Sequence, residues 1–237
     1  MYTELKLELI QETIGTLHRR ISERFPDSSL ARVAAELERI GRDIGPVIER
    51  ARRPILWLRV VVGLAVVLIG ALVVGLFLFL DSVTLATGEL GSLLQASESA
   101  AQDAVFLGIA IWFLFSLEAR LKRRAALVEL HRLRSVVHIV DMHQLTKDPE
   151  RILSPGMDTP SSPDRVLGRF ELSRYLDYCT ELLALATKLA ALHVQHHNDP
   201  VVLEAVSDVE VLGANLSNKI WQKIVILDTA LRPEPSL

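Results

Sequence analysis

Val60 to Leu80 carries no charged residue across 21 positions. At about 1.5 Å of rise per residue, a helix of that length spans roughly 31 Å, enough for the hydrocarbon core of a bilayer. The run is apolar on every face and contains Gly63, Gly70 and Gly75. A helix packed on a soluble core keeps a polar stripe, so this pattern favours a membrane span over a buried helix. Pro54 stands where the first helical turn tolerates proline, and Trp57 stands at interface depth. The first 53 residues are charged and periodic, with no apolar core near Met1. The first hydrophobic segment is therefore expected to act as its own insertion signal.

A second apolar stretch, Ala104 to Leu117, has 14 uncharged residues between Asp103 and Glu118. Alone it covers about 21 Å, short of the usual span. It lengthens outward through Ala100 and Ala101, or inward past Glu118 with Arg120 and Lys122 snorkelling. The flanking charges decide between a span and a re-entrant segment. Arg50, Arg52, Arg53 and Arg59 border the first stretch, and Arg120, Lys122, Arg123 and Arg124 follow the second. Between Asp81 and Asp103 there is no Lys or Arg, only Asp81, Glu89, Glu98 and Asp103. Under the positive-inside rule this predicts a transmembrane hairpin with both termini cytoplasmic. Its helices cover 55–80 and 100–119 and its outer loop covers 81–99, within a membrane segment 54–122.

Half the residues are hydrophobic but only 5% are aromatic, which suits Leu/Val/Ala-rich helices better than strands. Leu7, Ile10, Ile14, Leu17 and Ile21 recur at helical spacing, as do Leu30, Val33, Leu37, Ile40, Ile44 and Val47. Phe25-Pro26-Asp27-Ser28-Ser29 between them reads as a turn with Ser28 or Ser29 as helix cap. Residues 1–53 thus form a helix pair. The second membrane helix is expected to run on through 123–147, with a seam of Ala126, Leu130, Leu133, Val137 and Val140 and an adjacent stripe of His131, Ser135, His138 and Met142. Residues 148–164 hold Pro149, Pro155, Pro160 and Pro163, a loop in which Ser-Pro and Thr-Pro pairs read as turn chemistry, with a cap at Ser162. In 165–237 a second helix pair is expected. Leu172, Leu176, Cys179, Leu183, Ala186, Ala190 and His193 line one seam, and Val202, Val206, Val209, Leu216, Ile220 and Leu227 the other. Asp199-Pro200 starts the last helix. The fold class is an all-α membrane protein, a transmembrane hairpin carrying a cytoplasmic helical bundle with coiled-coil-like seams.

Chemistry-bearing clusters are few. His193 and His197 lie four apart near a helix end, and His138 and Asp141 lie on the preceding helix. Together they could hold one metal ion, although histidines near a helix C-terminus are also favoured by its dipole. Cys179 sits between Leu176 and Leu183, where a lone thiol acts as a small hydrophobe. It rules out an internal disulfide and fits a reducing compartment. No phosphate-cradling loop, nucleophile elbow or cofactor motif occurs. Arg59 and Glu118 fall at matching depth at the cytoplasmic end of the hairpin. They read as a structural ion pair fixing register, ahead of a ring of charge in a pore.

The stretch His131 to Glu150 (HRLRSVVHIVDMHQLTKDPE), continued by Phe170 to Tyr178 (FELSRYLDY), resembles a bacterial family of uncharacterised two-span membrane proteins. The resemblance implies a bacterial inner membrane as the location and assigns no activity to any residue. The expected role is a non-enzymatic, membrane-anchored helical scaffold or sensor that self-associates. Its partners would be the bilayer, further copies of the chain and an unidentified protein. A net charge of −3 gives no reason to expect nucleic acid. The alternatives are a subunit of an oligomeric channel or transporter, and a metal-binding membrane protein.

Overall fold

The computed structural model of the protein describes residues 4–87, 90–149, 167–195 and 199–229. Among them there are six helices and no β-strand: α1 (Leu7–Arg24), α2 (Ser29–Arg52), α3 (Leu56–Thr87), α4 (Leu90–Leu145), α5 (Arg169–Val194) and α6 (Pro200–Thr229). The chain divides into two compact units. One is Arg53–Lys122, and the other joins Met1–Arg52 to Arg123–Leu237.

Local chemistry sets most helix ends. Asp27 adopts a left-handed backbone (φ 56°) in the turn after α1, a conformation that aspartate tolerates better than most residues. The Ser28 hydroxyl then accepts the Ala31 N–H at 3.1 Å and caps α2. Asp199 caps α6 in the same way, accepting the N–H groups of Val201 (3.0 Å) and Val202 (3.3 Å), with Pro200 in the first helical position. At α5 the Glu171 carboxylate reaches back to accept the Gly168 N–H at 2.9 Å, half of a capping box. The proline-rich segment lies outside the described residues from position 150 onward, and the cap expected at Ser162 with it. The first helix of the pair expected in 165–237 is described from Arg169 to Val194.

The outer loop expected over 81–99 is corrected by the structure. α3 continues to Thr87 over 32 residues, and α4 begins at Leu90 and runs for 56. Helix thus extends beyond the span expected over 55–80 and begins ten residues before the one expected over 100–119, which continues through 123–145 as expected. Lys/Arg asymmetry reports which side of a membrane a segment faces, not its backbone conformation. No proline interrupts the chain between Pro54 and Pro149, and positions 90–103 are mostly Leu, Ala, Ser and Gln, which a helix accepts.

Within the larger unit, α5 is the central helix. Its first apolar stripe, Leu172, Leu176, Cys179, Leu183, Ala186, Ala190 and His193, is buried throughout. A second stripe at the same 3–4 spacing, Tyr175, Tyr178, Leu182, Leu185, Leu189 and Leu192, is buried as well. The second stripe meets the α1–α2 pair. The Phe25 ring lies edge-on to Tyr175 (5.6 Å) and Tyr178 (6.2 Å), and the Arg20 guanidinium lies 5.4 Å over Tyr178. α2 carries the stripe on to Ile48, which is buried, while Val47 is half-buried. α6 packs so closely on α5 that a methyl group at Gly213 would meet the Thr187 methyl at 2.6 Å. Residues Ala126, Leu130, Leu133, Val136, Val137 and Val140 of α4 complete the same core.

The smaller unit differs in what it leaves uncovered. Leu56–Gly75 is a stretch of 20 residues long and apolar enough to cross a membrane, one such helix among the described residues. Leu56, Trp57, Val60, Leu64, Val67 and Leu68 are 66% to 71% exposed. Only Leu58 and Val62 are buried among the described side chains of α3. The second apolar segment does not reach the same length and composition. It too exposes Val105, Phe106, Ile109, Trp112, Phe113 and Phe115.

The close approach of α5 and α6 yields a testable consequence. Gly213→Val should destabilise the bundle by roughly 1–3 kcal/mol, the usual cost of overpacking. Thr187→Ser removes the opposing methyl group, so the double variant should recover part of that loss. Denaturant unfolding of the four proteins measures the coupling, and strict additivity would show that the two positions do not meet.

Candidate functional site

The best-defined polar site of the smaller unit centres on Glu118. Pro54 has no N–H, so Ile55 offers the first backbone donor ahead of α3, whose opening hydrogen bond runs from Arg59 N–H to Ile55 C=O at 3.0 Å. Glu118 Oε1 accepts the Ile55 N–H at 3.3 Å, and Oε2 accepts Arg59 Nε–H at 2.9 Å. Lys122, one turn further along α4, lies 2.8 Å from Oε1. A carboxylate therefore sits at the positive end of α3 and caps it from more than sixty residues away in sequence. Arg59 remains 63% exposed while Glu118 and Lys122 are largely covered, at 17% and 16%. With both oxygens engaged, Glu118 is an anchor joining α3 to α4. Arg59 and Glu118, which the sequence puts at matching depth, are direct partners here.

The proposed metal ligands are dispersed. His138 is exposed on α4, on the side away from the buried Val137 and Val140, whereas His193 is 2% exposed within the core on α5. Asp141 accepts a hydrogen bond from the Gln144 amide at 2.7 Å. His197 lies outside the described residues. Among the described residues no three His, Cys, Asp or Glu side chains are grouped to hold a metal ion. Burial, with Arg32 and Lys147 adding to it, holds the His143 imidazole below its ordinary pKa. Cys179 is fully buried, and burial pushes its thiol up to about 12, so almost no thiolate is present near neutrality.

Sequence reasoning passed over several polar side chains that tie the bundle together. Lys223 donates to the carbonyls of Gln144 (2.8 Å) and Lys147 (3.2 Å), satisfying acceptors at the end of α4. Its signal was a single cation set between Ile220 and Ile224 on a buried stripe. Arg132 links α4 to Asp43 of α2 at 3.2 Å while also holding Glu129. His18 Nδ1 lies 2.7 Å from Glu38, and that bond, with Arg42 nearby, keeps the Glu38 carboxyl below its ordinary pKa. Arg123 lies 2.8 Å from Asp199. Burial works against ionisation of Asp199, but Arg123 and the capped N–H groups of Val202 and Val201 outweigh it. Its pKa is lowered.

Comparison with known proteins adds no relative. No family model matches the chain, and no curated protein or solved structure does either.

Two predictions follow from these contacts. Glu118→Gln should lower the thermal midpoint in mild detergent slightly, by the equivalent of roughly 1 kcal/mol. Glu118→Arg, which faces Arg59 and Lys122 with a like charge, should cost more. Exchanging the charges (Arg59→Glu with Glu118→Arg) should restore part of the loss, and Lys122 beside the new arginine keeps the recovery incomplete. An exchange no better than Glu118→Arg alone would show that the pair carries no coupling. The second prediction concerns Asp199→Asn, which retains a capping side chain but loses the charge paired with Arg123. It should cost about 1–2 kcal/mol at pH 7. A depressed folded-state pKa contributes stability above the unfolded value near 3.9 and loses it as pH falls through the folded value. The gap between wild type and Asp199→Asn should therefore close below about pH 4. A constant gap down to pH 2 would assign the effect to packing.

Proposed function

We propose that this chain is a membrane-anchored helical scaffold or sensor that self-associates. α3 and the first part of α4 insert as a hairpin into a cell membrane, with both termini in the cytoplasm. The observation that carries this reading is the bare apolar coat of α3. A core helix of a soluble protein hides such side chains, whereas here six large ones between Leu56 and Leu68 are about two-thirds exposed. Burying each in lipid is worth roughly 1.5–3 kcal/mol, so lipid is a far better surround for α3 than water.

Charge supports the topology. Arg53, Arg59, Arg120 and Lys122 stand at one end of the apolar runs, and Asp81, Glu89, Glu98 and Asp103 at the other. Self-association is supported by the small residues of the span. A methyl group built at Gly63 or Gly70, seven positions apart and so on one side of the helix, meets nothing within 4 Å, which leaves that side open to close approach by another helix. The bundle supplies one apolar core tied by polar cross-links such as Arg132 with Asp43, which suits a scaffold.

The test is vectorial labelling. Glu89→Cys should react with a membrane-impermeant maleimide in intact cells, while cysteines placed near either terminus should react only after the cells are opened. The native thiol adds no background, because Cys179 is buried. Labelling of the termini in intact cells, with position 89 protected, would refute the topology. Cross-linking in native membranes tests self-association, and a strictly monomeric product would count against it.

A further inference from the structure

Arg120 lies two residues beyond Glu118 and so projects about 200° around α4 from it, away from the anchor to α3. Its guanidinium lies 5.0 Å from the Phe113 ring centroid and 5.6 Å from that of Trp112. Those rings are seven and eight positions earlier, roughly 10–12 Å along the helix axis. The side chain thus runs back along the apolar segment, following the N-terminal tilt of helical side chains. An arginine snorkelling to the cytoplasmic water would run the other way. Trp112 is 65% exposed, and Phe106 and Ile109 extend the same outward apolar face.

We infer that this outward face of α4 binds an anionic phospholipid. The Arg120 guanidinium takes the phosphate, and the acyl chains lie along Phe106, Ile109 and Phe113. The inference rests on the membrane reading above. A cation held toward the hydrocarbon is costly unless it is paired. The two rings supply part of the compensation through their negative faces. An anion supplies the rest, and a phosphate matches the planar fork of a guanidinium. A second copy of Arg53–Lys122 is a poor source of that anion. Its one acid at this end is Glu118, already engaged by Arg59, Lys122 and Ile55. A tryptophan beside the arginine suits the carbonyl and headgroup level of a leaflet.

The experiment uses the full chain in mild detergent, titrated with dioleoyl phosphatidylglycerol or dioleoyl phosphatidylcholine and read by native mass spectrometry and thermal midpoint. Wild type should retain phosphatidylglycerol over phosphatidylcholine. Arg120→Gln should cut that preference roughly fivefold, the factor expected for one basic residue at an anionic surface. Arg120→Lys, which keeps the charge without the fork, should fall between the two. It decides the matter if the glutamine variant does not fold. A preference unchanged in the variants, or absent from wild type, would overturn the inference, as would competition by soluble glycerol phosphate at concentrations matching the lipid. Carbonate extraction of membranes separates the two levels of failure. A chain that stays in the pellet but shows no lipid preference refutes this site alone, and a chain released into the supernatant refutes the membrane anchor with it.

Discussion

The bundle is arranged around a single helix that cannot tolerate water on either of two faces. α5 carries two apolar stripes at 3–4 spacing, one running from Leu172 to His193 and the other from Tyr175 to Leu192. A helix with one stripe is satisfied by one partner, but α5 requires cover on both sides. α6 covers it closely enough that Gly213 must lack a side chain, and the α1–α2 pair covers the other side through Phe25 and the residues around Gly41. The apolar seam of α4 from Ala126 to Val140 completes this core, and polar links at its margin add to it. Arg132 reaches Asp43, Arg20 reaches Glu181, and Lys223 reaches the end of α4. The exposed pair of Arg20 with Glu181 contributes little to stability, whereas part-buried Lys223 satisfies two carbonyls at the end of α4.

α3 presents the opposite outcome of the same rule. It is more apolar than α5, yet the described protein covers only Leu58 and Val62 of it. The two helices differ in how their apolar surface is covered. α5 is wrapped by other helices, and most of the described apolar side chains of α3 are left bare. One interaction is conspicuous at the start of α3, where Glu118 satisfies a backbone donor that a hydrocarbon environment could not.

Much of this was legible in the amino-acid sequence because burial leaves a periodic trace. The stripe from Ile10 to Ile21, the α6 stripe and the caps at Ser28 and Asp199 are local patterns, readable from neighbours three or four residues apart. The second stripe on α5 is equally periodic, but it lies among Tyr175, Tyr178 and leucines that also fill the spaces of the first, so the two merge into one apolar helix in the sequence. The helical continuity of α3 and α4 through most of 81–99 is hidden for a different reason. Charge speaks to sidedness, while the absence of proline and the Leu/Ala-rich composition speak to conformation. Partners such as Lys223 with the Gln144 carbonyl are separated by 79 positions, and no periodicity links them.

Arg59 and Arg120 show how far side-chain direction, invisible in sequence, divides residues of one type. Both are arginines at the same end of the apolar runs, and counting alone treats them as equal contributions to a positive flank. Arg59 turns toward α4 and binds a carboxylate of its own chain that Lys122 shares, so its charge is partly offset locally and serves the junction of two helices. Arg120 turns along the outer face onto two aromatic rings, which attract a cation but carry no net charge to cancel it. The local pair is closed and the ring-held cation is open. A positive flank can thus combine an internal lock with an outward-facing charge, and the difference rests on two residues of helical phase between Glu118 and Arg120. Moving that phase by one position would bring Arg120 toward the junction already occupied by Arg59 and Lys122, where a third cation facing one carboxylate would be repelled.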